Sequence, residues 1–194
     1  MRSLTYFIAC SIDGFIGDSR GDASAMMPFV SEEFVDFLKS EYPETVSAEG
    51  RQVLGFHDAE NQHFDTVVQG RRSYQLALDV DIASPYGHLR ELVASRTLTE
   101  SPHRNVELIA ENPVARIREL KAEDGELDIW LCGGSQLAGE LLDEIDELVI
   151  KTYPVVYGVG MPMFGSGSGA TEFTLEGVRT FENGALVRTY RRKR

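Results

Sequence analysis

Strand-like and helix-like patterns of apolar residues alternate along the chain. Leu4 to Cys10 is a compact apolar run that predicts a buried strand. Ser31 then reads as a helix N-cap, with Glu32 and Glu33 in a first turn where the helix dipole favours acids, and Phe34, Phe37 and Leu38 follow at helical spacing. Thr66-Val67-Val68-Gln69 predicts a second strand that closes on Gly70 and opens a helix through Tyr74 to Leu78. Leu92-Val93-Ala94 and Val106 to Ala110 are the third and fourth strands. Asn112-Pro113 is an N-cap followed by proline at the first helical position, starting a helix with Val114, Ile117 and Leu120 on one face. Leu127 to Cys132 predicts another buried strand, Gly133-Gly134-Ser135 turns into a helix from Gln136 to Leu142, and Leu148 to Thr152 is the next strand.

The last part of the chain changes character. Phe173 to Phe181 and Ala185 to Arg191 flank Glu182-Asn183-Gly184, and Asn-Gly between strand-like runs predicts a hairpin whose two turn positions both take positive φ. Strands separated by helices imply crossover connections, so the predicted fold class is α/β: a mainly parallel central sheet flanked by helices, finished by a C-terminal antiparallel hairpin. With no internal repeat or domain-marking linker, 194 residues read as one domain spanning 1–194, with a core large enough to need no disulfide or metal. The polar segment Pro43 to Asn61, containing Gly50 and Gly55, reads as an inserted loop or lid.

Charge narrows the function classes. The chain carries 19 Lys and Arg against 31 Asp and Glu, a formal net charge of −12. Nucleic acid and anionic membrane both demand a basic footprint, so neither is expected as a partner. A small anionic ligand needs only a local positive pocket and stays open. Five of the basic residues (Arg188, Arg191, Arg192, Lys193 and Arg194) crowd the C-terminus and read as a solvated tail. No membrane span or targeting pattern is expected, and Cys10 and Cys132, both in apolar stretches, read as small buried hydrophobes of a cytoplasmic protein.

In an open α/β sheet, ligands bind beyond the carboxyl ends of the strands, where helix N-termini present free N–H groups. Two junctions carry suitable residues. Gly70-Arg71-Arg72-Ser73-Tyr74 combines a glycine that admits a phosphate with two arginines whose donors match phosphate oxygens. Cys132-Gly133-Gly134-Ser135-Gln136 can offer bare amides to a pyrophosphate. Either motif alone also fits a purely structural strand end or a solvated helix start; their joint presence points to a dinucleotide. Gly165 to Ala170 satisfies G-x-G-x-x-A in letters, yet Thr171, Phe173 and Leu175 predict a strand after it, so it reads as a loop. His57, Asp58 and His63 are metal-ligand residue types at no compact zinc spacing, and no metal site is expected.

Four segments together resemble the dihydrofolate reductase family, in the branch that includes the reductase domain of bacterial riboflavin biosynthesis. Ala9-Cys10-Ser11-Ile12-Asp13-Gly14-Phe15-Ile16-Gly17 is similar to that branch's first strand and Ser-x-Asp-Gly-x-Ile loop. Gly70 to Tyr74 is similar to its Gly-Arg-x-Thr-Tyr junction with serine for threonine, and Ile129 to Leu142 to its Gly-Gly strand-to-helix turn. Ile145-Asp146-Glu147-Leu148 followed by Pro154, Gly158, Gly160, Pro162 and Phe164 is similar to its closing section.

The resemblance implies a domain that binds NADPH and passes hydride to a small heterocyclic substrate, pterin- or pyrimidine-like, and a homodimer. Ala9 and Ile16 are then expected at the nicotinamide. Gly70, Arg71 and Arg72 are expected at the phosphates, with Arg71 on the 2′-phosphate. Ser95 and Arg96 fall at the adenosine end, and Gly133, Gly134 and Ser135 at the pyrophosphate, with a cis Gly133-Gly134 bond. Folate reductases carry a substrate-anchoring carboxylate on the first helix, where Glu33 falls, and Phe37, four residues on, shares its helical face; a first-turn acid favoured by the helix dipole is the plainer reading of Glu33. Asp13 is the other candidate acid, although an Asp-Gly turn also explains it. Lys151 stands in the substrate region where folate reductases usually have threonine, which argues against folate itself. A non-catalytic nucleotide-binding or assembly protein that kept the fold is the alternative.

Overall fold

The N-terminal apolar run becomes the central strand of a sheet in the computed structural model, which describes residues 1–165 and 169–193. Strands β1 (Leu4–Ser11) and β2 (Phe15–Asp18) are followed by α1 (Glu32–Glu41), the short α2 (Ala48–Val53), β3 (Phe64–Gly70) and α3 (Arg71–Leu78). Next come β4 (Arg90–Ala94), β5 (Val106–Ile109), α4 (Pro113–Ala122), β6 (Asp128–Gly133), α5 (Ser135–Glu140) and β7 (Glu147–Tyr153). Strands β8 (Gly160–Pro162), β9 (Phe173–Thr180) and β10 (Leu186–Arg192) close the chain. The main sheet runs β5-β4-β3-β6-β1-β7-β10-β9, parallel from β5 to β7, with β10 antiparallel to both its neighbours. Helices flank it, as the alternating pattern predicts.

Period-two alternation gives each sheet face its own core. Phe7, Val67, Trp130, Val149 and Val187 point to the face covered by α1, whose Phe34 and Phe37 pack there with Tyr153 and Phe181. Leu4, Tyr6, Leu131 and Ile150 point to the other face, covered by Ile117 and Leu120 of α4 and Leu137 and Ala138 of α5. Ser31 caps α1 by accepting from Phe34 N at 3.3 Å, and Asn112 caps α4 by accepting from Ala115 N at 3.1 Å.

Three expectations change. The hairpin turn has positive φ at Gly184 (84°) and not at Asn183. Gly184 N donates to Phe181 O and Phe181 N to Ala185 O, which is a three-residue loop with glycine in the left-handed position rather than a two-residue turn. The C-terminal basic cluster is no solvated tail: Arg188, Arg191 and Arg192 lie in β10. Arg191 pairs with Glu147 and Glu176, Arg192 donates to the carbonyls of Ile145 and Leu142, and Lys193 pairs with Glu172; Arg194 lies outside the described residues. Segment 43–61 carries a turn at Pro43–Thr45 and α2, anchored by Glu44, which is fully buried. Its carboxylate accepts from the backbone N–H of Gln62 (3.2 Å), His63 (2.7 Å) and Phe64 (2.9 Å).

Candidate functional site

The carboxyl ends of β1, β3, β4 and β6 open into a cleft of about 1290 Å³, larger than the roughly 300–1,000 Å³ of ordinary small-molecule pockets. Strands β2 and β8 form a two-stranded flap at one side, contributing Ile16, Gly160, Met161 and Pro162 to the lining, and α2 with its preceding turn contributes Ser47 and Glu49. The rest of the wall comes from the β3–α3 and β6–α5 junctions and the segments after β4 and β5.

Most of the expected cofactor residues meet here. Ala9, Ile16, Gly70, Arg71, Arg72, Ser95, Arg96, Gly134 and Ser135 all line the cleft. Gly133 sits behind that wall, facing Tyr6 and Ile8, with φ +117° and the expected cis bond to Gly134. The two junctions touch: a Cβ on Gly70 would come within 3.2 Å of Gly134 N, and one on Gly134 within 3.2 Å of Ser73 Oγ. A Cβ at either position would press on its neighbour by a few tenths of an ångström, so the glycines ease the close approach and leave the wall free of side chains at that point. Ser95 plays a different part, because its hydroxyl accepts from Thr97 N (3.2 Å) and Leu98 N (3.0 Å) and so holds the turn after β4.

Arg71 begins α3, at whose N-terminus no side chain caps the helix. Its Nη1 is buried without a hydrogen-bond partner. A guanidinium N–H stripped of both water and acceptor is costly, so the atom is set for a ligand acceptor. Arg72 and Arg96 stand exposed on the same wall, against exposed Glu49, Glu111 and Glu140. Arg71, Arg72 and Arg96 thus cluster at the mouth of β3 and β4, with the three glutamates on the same lining.

The four expected substrate-side residues lie elsewhere. Glu33 is exposed at the start of α1, where its carboxylate accepts from Glu182 N at 3.4 Å beside the hairpin turn. Phe37 is core, packed against Phe34, Tyr42 and Phe181. Asp13 ties two loops together: it accepts from Ser11 Oγ (2.6 Å), Tyr157 N (3.2 Å) and Gly158 N (2.7 Å). The Ser11 hydroxyl above all, helped by the Gly158 and Tyr157 amides, holds its carboxyl below the ordinary aspartate range against the opposing effect of burial. Lys151 pairs in register with Ala9, and its Nζ stands 4.1 Å from the centre of the Phe7 ring. Burial brings its ammonium down to about 8, offset in part by Cys132.

Two wall residues were not singled out from the sequence. Gln69, the polar end of β3, is 2% exposed and its Nε2 has no partner. Tyr86 follows Pro85 in a loop, stacks edge-on to Trp130 at 4.8 Å and places its hydroxyl within hydrogen-bonding reach of the Cys132 thiol. Burial pushes that thiol up to about 11 even though Lys151 and Tyr86 favour its thiolate, and burial likewise raises Cys10. Cys132 should therefore alkylate roughly two orders of magnitude more slowly than an unshifted thiol at neutral pH, and Cys10 more slowly as well. Mass spectrometry after timed iodoacetamide treatment measures this, and rapid labelling of the folded protein contradicts it.

Fold and cleft together define a class: a dihydrofolate-reductase-like α/β sheet with a large cleft across its carboxyl edge. A dihydrofolate reductase from Enterococcus faecalis, complexed with NADP(H) and an added compound, shares this fold with a TM-score of 0.64 at 15% identity, over 99% of this chain and 97% of that one. Within that class the chain belongs to the RibD C-terminal domain family, which it matches over residues 2–187. A solved structure titled "Putative riboflavin biosynthesis protein", from Shewanella sp. PV-4, aligns over 100% of both chains with 27% identity and a TM-score of 0.72. The uncharacterized protein YwjB of Bacillus subtilis (strain 168) is 29% identical over 182 residues, 93% of this chain and 92% of its own length. Among the described residues no helix is long and apolar enough to cross a membrane, and no group of His, Cys, Asp and Glu could hold a metal ion.

Proposed function

We propose that the chain is an NADPH-dependent reductase that transfers a hydride to a small heterocyclic, pterin- or pyrimidine-like substrate. The observation that carries this reading is the buried, partnerless Nη1 of Arg71 in the wall of the cleft, beside the close-packed Gly70 and Gly134. A phosphate oxygen is the acceptor that best matches a guanidinium fork in a cleft of this size. Arg71 would hold the 2′-phosphate and Arg72 assist from the rim. The Gly134-Ser135 turn would face the pyrophosphate, and the turn held by Ser95 would border the adenosine. Ala9 and Ile16 would flank the nicotinamide.

When bound, the dinucleotide supplies the hydride; the chain supplies orientation, exclusion of water and the polar groups that meet the substrate. Glu33 and Asp13 serve structural roles in this reading, since neither reaches the cleft. That placement is also the observation that favours the alternative, a protein that binds the nucleotide without turnover. Titration with NADPH and NADH, followed by Trp130 fluorescence, tests the reading. Saturable NADPH binding several-fold tighter than NADH is expected, and failure of both to bind removes the reductase assignment.

A further inference from the structure

Part of the cleft wall comes from outside the sheet and so needs side chains to fix it. The loop after α3 contributes Pro85 and Tyr86, and α2 with its preceding turn contributes Ser47 and Glu49. Tyr74 of α3 donates its hydroxyl to Ala83 O, Leu89 N donates to Tyr86 O at 2.7 Å, and His88 Nε2 meets Glu44 O at 2.9 Å. Ala48 N donates to Pro85 O at 2.8 Å, which joins the loop and α2 into one wall. Tyr86 stacks edge-on to Trp130, and its hydroxyl pairs with the thiol of Cys132, another residue of the cleft. Where this turn sits therefore decides how far Cys132 is covered.

The centre of the turn is held from the sheet by Glu91 of β4. Its Oε1 accepts from Ser84 Oγ, the Tyr86 backbone N–H also donates to the carboxyl, and Oε2 is buried with no partner. Glu91 is 0% exposed, level in register with buried Val67 of β3 and Val106 of β5. A carboxyl group withdrawn from water with one oxygen unmatched is a net cost at a strand position where leucine or valine packs freely. What the acid supplies, and an apolar residue lacks, is an acceptor for the 84–86 turn.

We infer that Glu91 is the positioning residue of this wall: it clamps the 84–86 turn, and through Pro85 O the α2 segment, closed over the cleft. Release of the clamp moves Tyr86 off Cys132 and opens the cleft on the α2 side without unfolding the sheet. This role belongs to the wall itself and stands whether or not a dinucleotide is the ligand.

The two cysteines supply the test. Cys132 packs with Trp130 on the α1 side of the sheet, whereas Cys10 lies in the core of the other face with Leu4, Tyr6 and Ile150. Local opening of the wall exposes Cys132 alone; global unfolding exposes both. The full chain, free of ligand, is treated with iodoacetamide, and each site is followed separately by peptide mass spectrometry. Glu91→Leu fills a similar volume and removes the acceptor. It should speed labelling of Cys132 by about tenfold or more, the effect of one lost buried acceptor, and leave Cys10 within about twofold. Glu91→Gln keeps Oε1 and should restore the native Cys132 rate to within about threefold. Ser84→Ala cuts one tie from the loop side and should give an intermediate rate at Cys132, again without Cys10. Equal acceleration of both thiols overturns the role, because the acid then only stabilises the whole chain. An unchanged Cys132 rate in Glu91→Leu overturns it too, as does a Glu91→Gln variant that labels as fast as Glu91→Leu. If Glu91→Leu fails to fold, Ser84→Ala decides by the same comparison: faster Cys132 alone supports the clamp, and any other result overturns it.

Discussion

Arg71→Ala should weaken NADPH binding by about 10- to 150-fold, the loss of one charge-assisted contact of roughly 1.5–3 kcal/mol, and leave NADH binding within about threefold. The asymmetry follows from where Arg71 sits. It is the first residue of α3, so its backbone is fixed by the helix and its side chain starts from the carboxyl end of β3. Its Nη1 is buried, which removes the screening that makes exposed ion pairs weak. Arg72, one residue on and exposed, should cost far less when truncated and should lose most of its effect as salt is raised. Competition titration of both cofactors against each variant separates the outcomes. Equal weakening of NADPH and NADH would move Arg71 from the 2′-phosphate to the shared pyrophosphate. No weakening of either would remove the phosphate assignment altogether.

That arginine was legible in the sequence because a strand-to-helix junction is a local object: Val67-Val68-Gln69 ends a strand, Gly70 admits close approach, and the next residues open a helix. The same locality made β1, β6, α4 and the hairpin readable from apolar runs and caps. Strands β2 and β8 were not readable. They are four and three residues long, show no alternation, and exist because Phe15 to Asp18 meets Gly160 to Pro162 across most of the chain. Helix α2 has no apolar stripe; a Ser47 cap and the buried Glu44 next to it hold six residues that propensity alone would leave irregular. The expected substrate-side residues stand outside the cleft lining for a related reason. Spacing put Glu33 and Phe37 on one helical face, but Glu33 stands at the first turn, past the edge of the sheet and beside the hairpin, while Phe37 is inside. Gln69 and Tyr86 looked like an ordinary strand end and an ordinary loop. Only the register of β3 on β6, and the fold of the 84–88 loop over Trp130, bring them together.

Glu44→Ala should lower stability by about 3–5 kcal/mol, the range for removing one partner from a buried charged network, and drop the melting temperature by about 6–20 °C. Three backbone N–H groups entering β3 lose their acceptor at once, and that of Phe64, itself buried, is the least able to turn to water. Arg51, 2% exposed and within electrostatic reach of Glu44, loses one counter-charge and keeps the Ala59 carbonyl and the more distant charge of Asp58. The damage should also reach the cleft. The Glu44 carbonyl holds His88 Nε2 at 2.9 Å, and Ala48 N donates to Pro85 O at 2.8 Å, so the segment bearing Ser47 and Glu49 is tied to the loop bearing Tyr86. Glu44→Gln keeps one acceptor oxygen and the shape, and should fall between the variant and the native chain. Calorimetric melting of the three proteins measures the order. A melting temperature for Glu44→Ala within about 2 °C of native would show that water or a backbone shift satisfies those amides, and that segment 43–61 is a loosely attached lid after all.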